Sequence, residues 1–231
     1  MPFFDRFDRA RRAGFTHVEF ACVLGLDHDA LDHAVRSAGV QVVQYNFADG
    51  DIAAGERGYA SHPDRRSEWR QALLAALDIA HRVHPLQIHS LVGVRIPALA
   101  RQDQIAVLVE NLAWAVPHLE RAGRPMMIEL LNPAESPGYL LERTADALDV
   151  LRIVGSPWLR FQFDIYHVQR TEGELINCLR ACLGHIGHVQ VADNPGRHEP
   201  GTGEINYRAV LGALERMGYA RFVGLEYVPT A

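Results

Sequence analysis

Four side chains that can bind a metal ion through oxygen stand at the ends of four successive apolar segments. They are Glu129, Asp164, Gln190 and Glu226. An apolar strand has little reason to end in an acid or an amide unless that residue faces a shared site. Because neighbouring strands of a sheet lie about 4.8 Å apart, the four side chains could converge on one point.

This combination of residue types predicts a particular class of metal site. Three carboxylates in a partly closed cavity repel one another, so either their pKa values rise or a cation neutralises them. With the amide oxygen of Gln190 they form an all-oxygen ligand set, which favours Mg²⁺ or Mn²⁺ over zinc. The alternative is that each acid pairs with an arginine of the following loop. Four such residues on consecutive strands favour the metal site.

Short β-branched or aromatic segments alternate with amphipathic helical segments along the sequence. Strands are predicted over residues 16–20, 40–46, 86–91, 125–130, 160–165, 186–191 and 222–226. Helical periodicity lies between them over residues 66–84, 104–122, 143–154, 174–183 and 207–217. Glycines that could form left-handed C-caps follow the helical segments, namely Gly14, Gly39, Gly123, Gly155, Gly184 and Gly218.

Such a repeat is typical of either a doubly wound open sheet or a closed α/β barrel. A doubly wound nucleotide-binding sheet would carry a glycine-rich phosphate turn after its first strand, and the sequence contains no GxGxxG motif. The sequence therefore predicts a TIM-type (β/α) barrel, whose chemistry gathers at the C-terminal ends of its strands. No linker-like segment interrupts residues 1–231, so we expect one domain.

Composition excludes several classes of function. All 23 basic residues are arginine, and 28 acidic residues give a formal charge of −5, which argues against a nucleic-acid partner. The absence of lysine excludes Schiff-base, pyridoxal-phosphate and Walker-type phosphate chemistry. The three cysteines form no CxxC pair, and no apolar stretch is long enough to span a membrane. We therefore expect a cytoplasmic protein without a membrane partner.

Several segments resemble the hydroxypyruvate isomerase family, a branch of the xylose-isomerase-like barrels. The resemblance runs from about Phe3 to Tyr227. It is carried by IELLN at 128–132, QFDIYH at 162–167, GLEY at 224–227 and the loop GDIAAGERG at 50–58. The longest and most distinctive match is the segment GHVQVADNPGRHEPGTGEINY at 187–207.

The resemblance implies a metal site made by Glu129, Asp164, Gln190 and Glu226. It also implies that Glu129 and Glu226 are the acid/base pair for interconverting hydroxypyruvate and tartronate semialdehyde. Related sugar 3-epimerases usually have histidine where Gln190 stands, so the glutamine favours the hydroxypyruvate branch. A metal ion would stabilise the enediolate through which such a reaction passes, while a carboxylate moves the proton between adjacent carbons.

The same comparison implies substrate contacts. His167 resembles the substrate-contacting histidine of the family, and Arg197 resembles an arginine in the matching loop of the epimerases. A 2-oxo acid substrate also needs a cationic clamp, for which Arg57 and Arg197 are the loop candidates. His89 ends a predicted strand in the barrel mouth and is a further candidate for contacting substrate.

The resemblance also implies a strand before the helix matching residues 3–14 and a closing helix after Glu226, and the sequence shows neither. We therefore count seven strands, so that either the true start lies upstream of the recorded one or the barrel has a seam between the last strand and the strand at 16–20. Unpaired backbone groups at a seam favour association with a second chain, so a homo-oligomer is one possible state. Functional alternatives are a 2-oxo-tetronate isomerase or related sugar-acid isomerase or epimerase, a non-catalytic truncated barrel that only binds such ligands, and a DNA-repair endonuclease.

Overall fold

Seven parallel strands line the centre of the protein in the order in which they occur in the sequence. The computed structural model describes residues 1–230. The strands are β1 (His17–Phe20), β2 (Gln41–Phe47), β3 (Ile88–Ser90), β4 (Met126–Glu129), β5 (Leu159–Asp164), β6 (Ile186–Val191) and β7 (Val223–Leu225). The prediction of a (β/α) barrel with seven strands is confirmed, and every strand overlaps its predicted segment.

Helices follow or precede the strands. They are α1 (Asp5–Arg12), α2 (His28–Ala38), α3 (Arg66–Val83), α4 (Arg101–Ala122), α5 (Thr144–Val154), α6 (Ile165–Thr171), α7 (Leu175–Cys182) and α8 (Tyr207–Arg216). The periodic segments in the sequence did not include α6, and α2 was indicated only by the glycine that ends it, Gly39. Over residues 1–230, no helix has the length and hydropathy that crossing a bilayer requires.

Helix α3 shows why these segments pack on the barrel. The apolar stripe predicted from its periodicity is buried, with Trp69 and Leu73 both 0% exposed. The indole N–H of Trp69 donates to the hydroxyl of Ser90 at the end of β3, 3.0 Å away, so its polar atom is also satisfied. Burying each large apolar side chain contributes about 1.5–3 kcal/mol. The stripe thereby fixes α3 against β2 and β3.

Glycine ends several helices as expected, with one exception. Gly39, Gly123 and Gly155 are left-handed C-caps with φ of 65°, 64° and 64°. The prediction for Gly184 is wrong, because this residue lies inside a 3₁₀ turn (Leu183–His185) that continues α7. A tightened last turn satisfies the final carbonyls of a helix without a left-handed residue.

Strands β1 and β7 face each other across a seam. Among the described residues no β-ladder joins them. Side chains cross instead: the rings of His17 and Phe222 lie 4.7 Å apart, and Glu19 of β1 reaches His188 of β6. The barrel is therefore nearly closed. At the predicted seam, side chains rather than backbone hydrogen bonds connect the two edges. Whether this edge pairs with a second chain stays a prediction.

Candidate active site

The four predicted metal ligands lie at the C-terminal ends of β4 to β7. Glu129 and Asp164 are the last residues of β4 and β5, Gln190 lies near the end of β6, and Glu226 directly follows β7. The ladders place Asp164 opposite Gln190. Strand geometry alone thus brings the four residues to one mouth of the barrel, as the sequence suggested.

Glu129 and Asp164 form a compact buried group with His167. One potential ligand atom from each of the three lies within 4.8 Å of the others. Asp164 caps α6, because its Oδ1 accepts the backbone N–H of Tyr166 at 2.8 Å. Its Oδ2 is buried and has no hydrogen-bond partner. A buried carboxylate oxygen without a donor is costly, and a cation would satisfy it.

His167 is positioned as a hydrogen-bond donor toward this group. Its Nδ1 receives the backbone N–H of Asn132 at 3.2 Å, so Nδ1 carries no proton. Burial lowers the pKa of His167 to about 4, which leaves the ring neutral at neutral pH. The single proton must then be on Nε2, which lies 3.5 Å from Asp164 Oδ2. This tautomer suits a donor to substrate oxygen better than a metal ligand.

Gln162 connects Gln190 to Glu129 by hydrogen bonds. It lies two residues before Asp164 on β5. Gln162 Nε2 donates to Gln190 Oε1 at 2.7 Å and to Glu129 Oε2 at 3.0 Å. The Gln190 oxygen has a second lone pair that this bond leaves available. Gln162 therefore acts as a brace between two of the predicted ligands.

Glu226 lies outside the compact group and is held by Arg197. Arg197 Nη2 is 2.5 Å from Glu226 Oε2 and 3.7 Å from Asp164 Oδ2. Its Nη1 is 3.7 Å from Glu135 Oε2. Burial alone would lower the pKa of Arg197, but Glu226, Asp164 and Glu129 outweigh it and raise that pKa. The guanidinium thus balances part of the negative charge of the mouth.

The loop that carries Arg197 is organised around Asp193. This carboxylate is 0% exposed and accepts the backbone N–H groups of Asn194, Gly201 and Ile205 at 2.7–3.1 Å. These bonds lower the pKa of Asp193 although burial opposes them. Arg197 itself has a left-handed backbone, with φ of 57°. A non-glycine residue held in that conformation stores strain that the surrounding loop must offset.

The two glutamates do not share one environment. Burial, with Glu226 and Asp164 nearby, raises the pKa of Glu129 well above the usual glutamate range. Partial burial, with Asp164 and Glu19, also raises the pKa of Glu226 to about 7 against the effect of Arg197. Because 47% of the Glu226 side chain is exposed, we expect water to screen this increase more than at Glu129.

The other predicted substrate contacts lie at different depths. His89 is 0% exposed in the barrel interior, with Nε2 3.3 Å from Glu129 Oε1. Burial and the neighbouring His188 lower the pKa of His89 to about 3. Arg57 lies in the loop after β2, where its Nε donates to Ser136 Oγ at 3.2 Å. His89 therefore lies beside Glu129 in the barrel interior, where neither ring nitrogen has a hydrogen-bond partner, while Arg57 joins the loops that follow β2 and β4.

Several residues of the site were not predicted from the sequence. Glu135 accepts from the hydroxyl of Tyr166, and Arg170 lies 3.2 Å from the same Glu135 oxygen. Gln162 could have been found from strand alternation, because it lies two residues before Asp164 and so shares its face. Glu135 sits in a loop without periodicity, and no local pattern marks it.

Asp49, in the loop after β2, is expected to make the free energy of unfolding depend on pH. It is 6% exposed, its Oδ1 has no partner, and burial raises its pKa to about 6. Between about pH 4 and pH 6 the folded protein therefore binds this proton more readily than the unfolded chain, and the free energy of unfolding falls as pH rises. Asp49→Asn should raise that free energy by about 2 kcal/mol more at pH 7.5 than at pH 4.5 in urea denaturation.

The exposed neighbour Asp51 supplies the control for this measurement. Asp51→Asn should leave the pH dependence of the free energy of unfolding as it is in the wild type. Equal pH profiles for Asp49→Asn and the wild type would contradict the prediction.

Comparisons with known proteins identify the family. A family model described as xylose isomerase-like TIM barrel matches residues 7–231. Hydroxypyruvate isomerase of Escherichia coli (strain K12) is 42% identical over 228 residues, 98% of this chain and 88% of that protein. A 2-oxo-tetronate isomerase of Cupriavidus necator is 38% identical over 232 residues, 99% of this chain and 88% of that protein. A crystal structure titled AP endonuclease, family 2, from Brucella melitensis has a TM-score of 0.96 at 34% identity and covers 100% of this chain and 89% of that one. The chain thus belongs to the xylose isomerase-like TIM barrel family.

Proposed function

We propose that the protein is a metal-assisted sugar-acid isomerase that interconverts hydroxypyruvate and tartronate semialdehyde. The observation that carries this proposal is the buried group of Glu129, Asp164 and His167, in which Asp164 Oδ2 lacks a partner. The relatives named hydroxypyruvate isomerase and 2-oxo-tetronate isomerase support the reaction class.

The donor set at the mouth fits a hard divalent cation. Glu129, Asp164, Gln190 and Glu226 would hold Mg²⁺ or Mn²⁺, whose preferred ligands are carboxylate and amide oxygens. Burial raises the pKa of Glu129 most, and the neighbouring carboxylates of Glu226 and Asp164 raise it further, so a cation placed among them would favour the charged form. When bound, the ion would polarise the substrate carbonyl and stabilise the negative charge of the enediolate.

The side chains divide the remaining work. Isomerisation moves a proton between two adjacent carbons, and we assign this transfer to Glu129 and Glu226. Glu129 is buried at 6% exposure, away from bulk water that would exchange its proton. The Nε2–H of His167 is available to donate to a substrate oxygen beside Asp164. Burial of these groups strengthens each electrostatic contact.

Arg57 is the better placed of the two arginines to bind a substrate carboxylate. Its hydrogen bonds go to neutral acceptors, the hydroxyl of Ser136 and the carbonyl oxygens of Ile52 and Glu56. Arg197, in contrast, already lies against carboxylates. The charge of Arg57 is therefore available to an anionic ligand.

Replacing Arg57 with glutamine should raise KM for hydroxypyruvate about 10- to 100-fold, the effect of losing one charge-assisted hydrogen bond. The value of kcat should change much less, because the carboxylate contact is made equally in the ground state and the transition state. Steady-state kinetics measure both. Arg82→Gln, which removes an exposed surface arginine, is the control. An unchanged KM in Arg57→Gln would contradict this assignment.

A direct turnover assay tests the proposed function. Protein loaded with Mn²⁺ or Mg²⁺ is incubated with hydroxypyruvate, and tartronate semialdehyde is measured by its enzymatic reduction. Parallel incubation with 2-oxo-tetronate tests the second candidate substrate, which the Cupriavidus relative suggests. Turnover of neither substrate, with Glu129→Gln equally inactive, would refute the isomerase proposal. Ligand-induced stabilisation without turnover would instead indicate a barrel that only binds.

We propose a small-molecule substrate rather than nucleic acid. The formal charge of −5 supplies no concentrated positive field for a phosphate backbone. Arg197, at the mouth, is occupied by carboxylates of the protein itself. Cleavage of DNA containing an abasic site by the metal-loaded protein would contradict this part of the proposal.

A further inference from the structure

A one-way series of side-chain hydrogen bonds crosses the barrel interior. Gln87 donates to Gln44 at 3.0 Å, and Gln44 donates to Gln162 at 2.5 Å. Gln162 then donates to Gln190 at 2.7 Å, and Gln190 Nε2 donates to Glu19 Oε1 at 3.0 Å. Every amide in the series therefore points its N–H₂ in the same direction, toward Glu19.

The carboxylate at the end of the series determines its direction. A carboxylate oxygen accepts hydrogen bonds, and Gln190 accordingly presents its N–H₂ to Glu19 Oε1. The Gln190 oxygen is consequently turned to the opposite side, where it meets Gln162 beside Glu129. An amide rotated by half a turn would present N–H₂ to Gln162 and to the proposed cation. Such an amide could not act as a ligand.

The position of Glu19 depends on a glycine in β7. Glu19 belongs to β1, yet it reaches β6 across the seam, because Gly224 pairs with Gln190 in the ladder between them. A Cβ added to Gly224 would overlap Glu19 Oε1. The second oxygen of Glu19 lies 2.5 Å from His188 Nε2. The carboxylate is thus held at both oxygens in a space that only glycine leaves open.

We propose that Glu19 is a positioning residue that orients the amide of Gln190 so that its oxygen faces the metal site, and that Gly224 provides the space for it. The inference rests on the proposed function, since it assumes that Gln190 is a ligand. It adds a specific role for two residues that touch neither the proposed cation nor the substrate.

The test compares two neutral replacements of similar size. Glu19→Gln removes the charge but keeps an oxygen that can accept from Gln190, whereas Glu19→Met removes the charge and the acceptor. Mn²⁺ affinity, measured by electron paramagnetic resonance of the free ion, should be at least about tenfold weaker in Glu19→Met than in Glu19→Gln, as for other residues that orient a metal ligand. Thermal unfolding without metal shows that both variants are folded. Equal affinities would overturn the proposal.

Gly224→Ala provides a second test that keeps the charge of Glu19. The added methyl group should push the flexible carboxylate away from Gln190 and weaken Mn²⁺ binding by a similar factor. Gly212→Ala, in helix α8 and away from the mouth, is the matched control and should bind Mn²⁺ like the wild type. Unchanged affinity in Gly224→Ala would overturn the role given to this glycine.

The wild-type titration separates this inference from the proposed function. If the wild type binds no Mn²⁺, the proposed metal site and the role of Glu19 both fail. If the wild type binds Mn²⁺ while the Gln and Met variants agree with each other, only the role of Glu19 fails. At saturating Mn²⁺, kcat of Glu19→Met should recover to within about threefold of the Glu19→Gln value, because the defect lies in holding the ligand.

Discussion

Replacing Glu129 with glutamine is expected to lower kcat for hydroxypyruvate by about a thousandfold, the middle of the range for loss of a general acid/base. Glu129 combines 6% exposure with a pKa raised by burial and by Glu226 and Asp164. Glutamine keeps the shape and can still accept from Gln162, but it can neither take up a proton nor supply a charged ligand. Steady-state kinetics at saturating metal and substrate measure the loss.

The unfolding temperature of the metal-free Glu129→Gln variant distinguishes this effect from misfolding. Removing an ionisable group whose charge is unfavourable in the folded protein should leave that temperature equal to or above the wild-type value. Glu142→Gln, at an exposed position after the same strand, should retain wild-type kcat. A Glu129→Gln variant that keeps more than a tenth of wild-type kcat, or that unfolds at a lower temperature, would contradict the role given to this carboxylate.

The fold and the framework of the site could be predicted from the sequence because both follow from local patterns. A short apolar segment predicts each strand, and the polar residues at the strand ends are easily recognised beside it. Parallel strands in a barrel place those ends at one mouth, so Glu129, Asp164 and Gln190 lie there at the ends of neighbouring strands. The position of Glu226 followed from the same reasoning.

The connections between these residues could not be predicted, because they join segments far apart in the sequence. Arg197 could pair with several acids, and only the folded loop around Asp193 brings it to Glu226. Glu19 of β1 has its partners, Gln190 and His188, across the seam, and no local pattern in the sequence shows this. Helix α6 was also missed. It begins immediately after β5, so the strand pattern hides its first turn.

Removing divalent ions with a chelator is expected to abolish isomerase activity and to lower the unfolding temperature, with both restored by Mn²⁺ or Mg²⁺. A ligand present at 100 times its Kd stabilises the folded state by about 2.7 kcal/mol. For a chain of this length, that corresponds to an increase of about 5–10 °C. Differential scanning fluorimetry with and without added ion measures the shift. Asp164→Asn should show a much smaller shift, and full activity after exhaustive chelation would contradict the metal proposal.

Arg197 should make the stabilisation by a bound ion smaller than it would be if the carboxylates had no other cation near them. Without an ion, its guanidinium already balances Glu226 and lies 3.7 Å from Asp164 Oδ2, the oxygen that otherwise has no partner. An ion that binds Asp164 and Glu226 competes with these contacts. In Arg197→Gln we therefore expect a lower unfolding temperature in chelator and a larger increase on adding Mn²⁺ than in the wild type. An increase equal to that of the wild type would mean that arginine and ion do not share the same carboxylates.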